Sequence, residues 1–313
     1  MLISAAICTY ERYDSLGRGL AALARQTLPP RHYEVIVIDN SPEAATSARY
    51  RRVVRRPRGL RWFHLPEPGL ARARNLAVQQ ARAPLLAFID DDAIAPPRWL
   101  AALLEGFAAF GEDVHMIGGP VRPRWATPRP AWLADGLLGY LSLIERGRRR
   151  RVLGPDEWVA GTNVAYRLER LRAAGGFATA LGRIGPGVLL SNEETELARR
   201  MAAAGGRTGW VPKAAVRHCI DAARLDRSWF RRRAAWQAVS DFMQHPQHFT
   251  RDSAASWGEA ERFLDYHCAT NGVHALARDE QDAAMFHWQV SAIYHLTLCM
   301  LGGLHPPGIV TPP

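Results

Sequence analysis

The chain has 313 residues, of which 48% are hydrophobic and 22% charged, and its 40 basic and 30 acidic residues give a formal net charge of +10. This composition is typical of a folded globular protein and excludes a mainly disordered chain. The excess charge favours anionic partners, such as nucleotides, phosphates, acidic lipids or nucleic acids. Nearly all of it is arginine, because Lys213 is the only lysine.

The cysteines predict no metal site or disulfide framework, and the apolar segments predict no signal peptide or membrane span. The four cysteines lie far apart and form no Cys-x-x-Cys pair, so no zinc ribbon or disulfide framework is expected. The apolar first residues lack the basic start of a signal peptide, and no stretch reaches the roughly 20 apolar residues that span a bilayer. We therefore expect a cytoplasmic protein, soluble or at most in peripheral contact with the inner face of a membrane.

Apolar runs and amphipathic stretches alternate through the first part of the chain. The predicted strands are residues 2–8, 33–38, 60–65, 84–89 and 114–117, and the predicted helices between them are residues 15–26, 43–56, 69–82 and 97–110. Strands that are apolar throughout and separated by helices predict a parallel sheet covered on both faces. The expected fold class is therefore α/β.

The pattern changes after Pro120. Residues 120–157 are rich in proline and arginine and predict a long excursion with a short helix near residues 137–145. A further helix is predicted over residues 193–204, and the chain reads as helical from about Ser228 to its end. These features predict an α/β domain over residues 1–225 and a helical region over residues 226–313.

Two of the predicted strands end in carboxylates. Asp39 follows the second strand, and Asp90, Asp91 and Asp92 follow the fourth. Open parallel sheets bind ligands beyond the carboxyl ends of their strands. Three adjacent carboxylates need relief from solvent or from a cation. The segment is therefore either an acidic loop before the next helix or a site for Mg²⁺ or Mn²⁺, which prefer oxygen ligands.

Seven motifs follow one another over the first two-thirds of the chain. They are ICTYERYDSL (7–16), VIDNSP (37–42), GLARARNLA (69–77), FIDDDAIAPPRWL (88–100), GTNVAYRLERLRAAGGF (161–177), NEETELARRMAAAG (192–205) and VPKAAVRHCI (211–220). In this order and spacing, residues 1–220 resemble an inverting family 2 glycosyltransferase of bacterial type. The resemblance implies a GT-A fold, with a mostly parallel sheet between helices, followed by a helical C-terminal extension.

The resemblance also implies a nucleotide pocket. Thr9, Tyr10 and Arg12, at the end of the first strand, would line it. Asp39 would accept hydrogen bonds from the base, and Arg74 would contact the base or the diphosphate.

The acidic motif corresponds to the family's DxD motif. By the resemblance, Asp90 lies towards the ribose and Asp92 on a Mn²⁺ or Mg²⁺ ion. Asp91, the variable middle residue, either contributes to the donor site or is a solvated bystander. His218, within the VRH segment, is the expected second metal ligand, although a lone histidine is more often a surface or core residue.

Inverting transfer needs a base that removes the proton of the acceptor hydroxyl. The NEETEL segment opens a predicted helix and places Glu193 or Glu194 at its start, where acids are also common without any catalytic role. In the family the pair is commonly Glu-Asp and its second member is the base. Here it is Glu-Glu, so Glu194 takes that position, and Glu196 is expected to face elsewhere.

The expected function is metal-dependent transfer of a sugar from a nucleoside-diphosphate donor to a hydroxyl group. UDP-sugars are favoured, with GDP and dTDP open, and the acceptor is a glycan, a lipid-linked molecule or a small molecule. A basic nucleic-acid-binding protein is the first alternative, but carboxylates at one sheet edge would repel phosphate without a metal. A GT-A-like nucleotidyltransferase is the second, but CTYER stands where a glycine-rich phosphate loop is expected.

Two features leave their roles open. The arginine clusters over residues 51–58, 146–151 and 231–233 are either solvated or contact an anionic acceptor or an acidic membrane surface. Residues 228–313 either cover the acceptor site or form a homodimer interface. No nucleic-acid partner is expected.

Overall fold

The computed structural model of the protein describes residues 1–53, 57–185, 187–248, 258, 261–263, 265, 266, 276, 278, 279 and 281–304. Its strands are β1 Ile3–Thr9, β2 Tyr33–Asp39, β3 Leu60–His64, β4 Leu85–Ile89, β5 Ala93–Ile94, β6 Val114–Gly118, β7 Val121–Trp125, β8 Arg151–Val152, β9 Asn163–Arg167, β10 Arg207–Trp210 and β11 Val216–Ile220. Its longer helices are α1 Tyr13–Leu23, α2 Ala44–Val53, α3 Leu70–Gln80, α4 Trp99–Ala109, α5 Leu168–Ala173, α6 Glu193–Ala203, α7 Arg227–Gln244 and α8 Ala283–Leu304.

The five predicted strands and the four helices between them are confirmed, with small shifts of their ends. Residues 54–56, at the end of the predicted second helix, lie outside the described residues. Four strands, β1, β2, β4 and β6, are buried along their whole length or nearly so. This continuous burial follows from their unbroken apolar sequence and requires that both faces of the sheet be covered.

The large sheet has eight strands in the order β3-β2-β1-β4-β9-β6-β10-β8. The mostly parallel sheet that the resemblance implies is confirmed, and β9, which lies between β4 and β6, is antiparallel to both. The edge strand β8 is also antiparallel to its neighbour β10. Residues 161–167 had no strand prediction, since a short run inside a longer motif does not reveal its pairing partner.

A second, three-stranded sheet has the order β5-β11-β7. In it β11 runs antiparallel to β5, and His218 lies opposite Ala93. His218 lies within β11. This pairing carries His218 to the segment that follows the three aspartates.

By its internal contacts the chain forms two compact units. One contains residues 1–124, 142–179 and 193–220, and the other contains residues 125–141, 180–192 and 221–313. The first holds both sheets. In the second, α7 packs against α8, and an aromatic cluster of Trp132, Phe230 and Phe286 fills its core. The division at residue 225 stays a prediction. No helix in the described ranges is long and apolar enough to cross a membrane.

Candidate active site

The candidate site is formed where β1, β2 and β4 end side by side. These strands are parallel neighbours, so their carboxyl ends meet at one edge of the large sheet. Asp39 is the last residue of β2, and the three aspartates follow β4 directly. The sequence-based expectation that these acids share an edge agrees with this geometry.

Asp90 faces the start of β9 and helix α3. Its Oδ2 accepts a hydrogen bond from Thr162 Oγ1 at 2.6 Å, and its Oδ1 lies 3.5 Å from Arg74 Nη2. Its side chain is about one-third exposed, more than those of the next two aspartates. Asp90 is therefore the member of the triplet that remains open to a ligand.

Asp91 and Asp92 share one arginine but face different elements. Asp91 accepts hydrogen bonds from Thr9 Oγ1 at 2.7 Å and from Arg12 Nη1 at 3.1 Å. Asp92 Oδ2 accepts from the same Arg12 nitrogen at 2.6 Å, and its Oδ1 lies 3.1 Å from His218 Nε2. Arg12 thus compensates the charge of two adjacent carboxylates.

Burial shapes the charge state of the middle aspartate. Asp91 is 5% exposed, which excludes the solvated bystander considered from the sequence. Burial and the neighbouring Asp92 carboxylate raise the pKa of Asp91 to about 7, although Arg12 and Thr9 oppose the rise. The charge held at this end of β4 therefore depends on the cations that approach it.

The turn after β1 brings Arg12 to the acids. Thr9 ends the strand, Tyr10 is half-buried, and Glu11 adopts a left-handed backbone conformation with φ of 54°. The Glu11 amide donates to Ser41 Oγ at 2.8 Å. This hydrogen bond ties the turn to the residues that follow β2, so the two strand ends form one wall of the site.

Asp39 is fully buried and already has protein partners. Tyr13 Oη donates to its Oδ2 at 3.2 Å, and the Ser41 amide donates to its Oδ1 at 3.2 Å. Burial raises the pKa of Tyr13, and Asp39 adds to the rise. Sequence reasoning missed Tyr13, which lies within the quoted CTYERYDSL motif and stacks on Tyr50 with ring centroids 4.7 Å apart.

The start of α6 separates the two glutamates. Glu193 is buried and its Oε1 lies 2.6 Å from Arg74 Nη1. Glu194 is half-buried, and its Oε1 accepts a hydrogen bond from the Gly161 amide at 3.1 Å. Glu194 is therefore partly exposed to solvent, whereas Glu193 is buried. Glu196 pairs with Arg200 and faces elsewhere, as the sequence predicted.

Arg74 occupies an enclosed position. It is 3% exposed and pairs with Glu193. Burial works against its positive charge, but Glu193, Asp90 and Glu194 outweigh this effect and raise its pKa. The resemblance assigned Arg74 to the base or the diphosphate, and the structure gives it carboxylate partners within the protein.

Together these features define an α/β protein with a buried acidic site at the carboxyl ends of its parallel strands. Residues 4–167, more than half of the chain, match the family described as Glycosyl transferase family 2. The chain belongs to this family and is a glycosyltransferase.

Two curated relatives extend the match beyond the family segment. A glucosyl-dolichyl phosphate glucuronosyltransferase of Haloferax volcanii is 26% identical over 249 residues, which cover 77% of this chain and 76% of that protein. The succinoglycan biosynthesis protein ExoM of Rhizobium meliloti is 28% identical over 235 residues, which cover 74% of this chain and 71% of that protein.

A solved structure supports the fold. A mannosyltransferase of Pyrobaculum calidifontis, determined in complex with GDP-mannose and Mn²⁺, matches with a TM-score of 0.59 and 18% identity, over 96% of this chain and 86% of that one. The protein has a GT-A fold with a helical C-terminal region, as the sequence predicted.

Proposed function

We propose that this glycosyltransferase transfers a sugar from a nucleoside-diphosphate donor to a hydroxyl group, with inversion at the anomeric carbon and with a divalent cation. One observation carries the proposal. The Asp92–His218 pair and the half-buried Glu194 belong to the same compact unit. One loop contacts both parts of the site, because Thr162 donates a hydrogen bond to Asp90 and the adjacent Gly161 amide donates one to Glu194.

Asp92 and His218 fit a divalent cation. Each side chain is 2 to 3% exposed, and Asp92 Oδ1 lies 3.1 Å from His218 Nε2. A carboxylate oxygen and a neutral imidazole are both donors that Mn²⁺ accepts, and Mg²⁺ or Mn²⁺ commonly takes its other ligands from water and substrate phosphates. No cluster of three acidic, histidine or cysteine ligands occurs among the described residues, so the diphosphate would complete the set.

A bound cation would stabilise the negative charge that develops on the nucleoside-diphosphate leaving group. The protein residues have other tasks. Thr9, Tyr10 and Arg12 line the nucleotide side, and Asp39 accepts from the base in the orientation that Tyr13 holds. UDP is the favoured nucleotide, with GDP and dTDP as the alternatives that the experiment separates.

Asp90 and Asp91 complete the donor side. Asp90 is directed to the ribose because its carboxylate is the more exposed of the two. Asp91 keeps the end of β1 in place through Thr9. These two roles explain why adjacent acids have different burial.

Glu194 acts as the base. Its carboxylate accepts the proton of the acceptor hydroxyl while the hydroxyl oxygen attacks the anomeric carbon and the bond to the diphosphate breaks. The Gly161 amide orients it. Glu193 is unsuited to this task because its buried carboxylate is paired with Arg74.

We assign a glycan or lipid-linked acceptor, because the named relatives act on a dolichyl phosphate glycoside or in succinoglycan biosynthesis.

Arg148, Arg149 and Arg150 form an exposed basic loop that would contact an anionic membrane surface from the cytoplasm. Flotation with vesicles of phosphatidylglycerol and phosphatidylcholine tests this contact. Equal recovery with neutral vesicles alone would argue against it.

The decisive experiment is thermal unfolding with UDP, GDP and dTDP, each with and without Mn²⁺. A ligand at ~100 times its Kd adds about 2.7 kcal/mol to the free energy of unfolding, which raises Tm by several degrees. We expect a Mn²⁺-dependent shift with one nucleotide that is lost in Asp92→Asn and in His218→Ala. Asp113→Asn, which changes an exposed aspartate paired with Arg207, serves as the control.

The sugar and the stereochemistry are tested once the nucleotide has been identified. Sugar nucleotides carrying that base are assayed for nucleoside-diphosphate release with octyl glucoside as acceptor, and the anomeric configuration of the product is read by NMR. A product of inverted configuration supports the mechanism. A retained configuration contradicts it, and the absence of a shift with any nucleotide contradicts the donor site.

A further inference from the structure

The guanidinium of Arg74 lies between the two acidic groups of the site. Phe88 and Phe177 cover it, with ring centroids 5.8 and 5.5 Å from the guanidinium carbon. Its two terminal nitrogens point to different carboxylates. Nη1 lies 2.6 Å from Glu193 Oε1, and Nη2 lies 3.5 Å from Asp90 Oδ1.

These two carboxylates belong to different elements. Glu193 opens α6, and Asp90 follows β4. A planar guanidinium with several donors in fixed directions can bind two carboxylates at once, whereas an ammonium group cannot reproduce that geometry. Arg74 therefore joins the start of the helix to the end of the strand.

A glycine makes room for this arrangement. A Cβ atom at Gly161 would lie 2.7 Å from Arg74 Nη2, closer than such contacts allow. The amide of Gly161 donates to Glu194, and the next residue, Thr162, donates to Asp90. The guanidinium thus packs against the same loop that holds the proposed base.

We propose that Arg74 is a positioning residue that sets the place of Glu194 relative to Asp90 and does not itself contact the nucleotide. Its ion pair holds Glu193, and Glu194 is the next residue of the helix. The inference rests on the proposed function, since it takes Glu194 as the base.

Gly161→Ala tests the packing without removing a polar group. We expect the new methyl group to displace the guanidinium, so that amide hydrogen exchange over residues 197–201, whose amides bond to the first carbonyls of α6, becomes about tenfold faster. Gly154→Ala is the matched control. The Gly154 amide also donates to a glutamate, Glu157, but a Cβ there would meet only Glu157 Oε2 at 3.7 Å. Exchange in the control stays as in the unmodified protein.

Kinetics separate positioning from folding. The sugar nucleotide that the screen identifies is used with octyl glucoside, and kcat is expressed per nucleotide-binding site, titrated with the matching nucleotide and Mn²⁺. We expect kcat to fall roughly 10- to 100-fold in Gly161→Ala, because small displacements of a reacting group have effects of this size. The nucleotide Kd stays within about twofold of its original value. Arg74→Lys, which keeps the charge but lacks the fork, shows the same division between kcat and Kd.

Two results would overturn the inference. One is unchanged exchange over residues 197–201 in Gly161→Ala, a result that needs no substrate. The other is a loss of nucleotide affinity as large as the loss in kcat, which would place Arg74 in the nucleotide site. Glu194→Gln distinguishes the two proposals. Full activity of that variant rejects the proposed base, whereas the exchange result in Gly161→Ala tests the contact of Arg74 independently.

Discussion

Two groups of consecutive acids meet in this protein, and they are organised differently. Asp90, Asp91 and Asp92 follow a strand, and each turns to a different set of partners. Glu193 and Glu194 open a helix, where one is buried in an ion pair and the other is half-exposed. In both groups, neighbours along the chain have different surroundings.

The difference concerns charge compensation. Asp91 and Asp92 are compensated by Arg12, which lies at the site and is itself about one-third exposed. The buried helix-start glutamate is compensated by Arg74, which is enclosed. We therefore expect a ligand to exchange with the first set of contacts and the second to act as a structural connection. This contrast can be tested from the largest effect to the smallest.

Glu194→Gln should have the largest effect on the reaction. Removal of a general base commonly costs between about 10² and 10⁴ in rate, and we expect kcat to fall about 10³-fold. The Tm shift with nucleotide and Mn²⁺ should remain. Glu196→Gln, on the same helix and paired with Arg200, is the control and should stay active. Turnover by Glu194→Gln near the original rate would remove the distinction between the two glutamates.

Arg74→Met should have the largest effect on stability. Removal of one partner of a buried ion pair leaves an uncompensated charge and costs about 3 kcal/mol or more, here on Glu193. Arg72→Met, two residues earlier on the same helix, breaks an exposed pair with Glu67 and should cost no more than about 1 kcal/mol. Urea denaturation measures both. Equal losses would show that the enclosed arginine is not a structural connection.

Asp39→Asn should weaken nucleotide binding more moderately. The variant replaces one acceptor oxygen of a buried carboxylate that Tyr13 and the Ser41 amide hold in place. We expect the nucleotide Kd to rise about tenfold, equal to about 1.4 kcal/mol, as measured by calorimetry. Glu43→Gln, which changes an exposed glutamate just after that turn, should bind as before.

Glu157→Gln should have the smallest effect on stability. Glu157 belongs to neither group of consecutive acids, so the variant serves as a reference for both. Hydrogen bonds from Arg151 and from the Gly154 amide lower the pKa of Glu157 to about 2. A carboxylate with a lowered pKa adds stability above its ordinary pKa, and this stability is lost as pH falls through the lowered value. The variant should melt a degree or two lower at pH 7, and the difference should fade below about pH 4.5 and vanish near pH 2. A difference that grows on acidification would contradict the sign.

The alternation of apolar strands and helices was sufficient to predict the α/β fold and the shared edge of Asp39 and Asp90. Local periodicity reports burial, and parallel strands align their ends. Strand β9 was not predictable in the same way, because its antiparallel pairing with β4 and β6 depends on residues far from it in the chain. Tyr13 was missed because a tyrosine just before a predicted helix carries no signal of the carboxylate it contacts.

The sequence by itself determined five strands and the helices between them, the family, and the acids that strands and a helix present, since these depend on short-range patterns and ordered motifs. Only the tertiary structure decided which acid meets which partner. Arg74 and Glu193 are 119 positions apart, and Thr162 and Asp90 are 72 apart. Contacts across such distances arise from the packing of the sheet, and they separate a buried, paired glutamate from a neighbour that remains partly exposed to solvent.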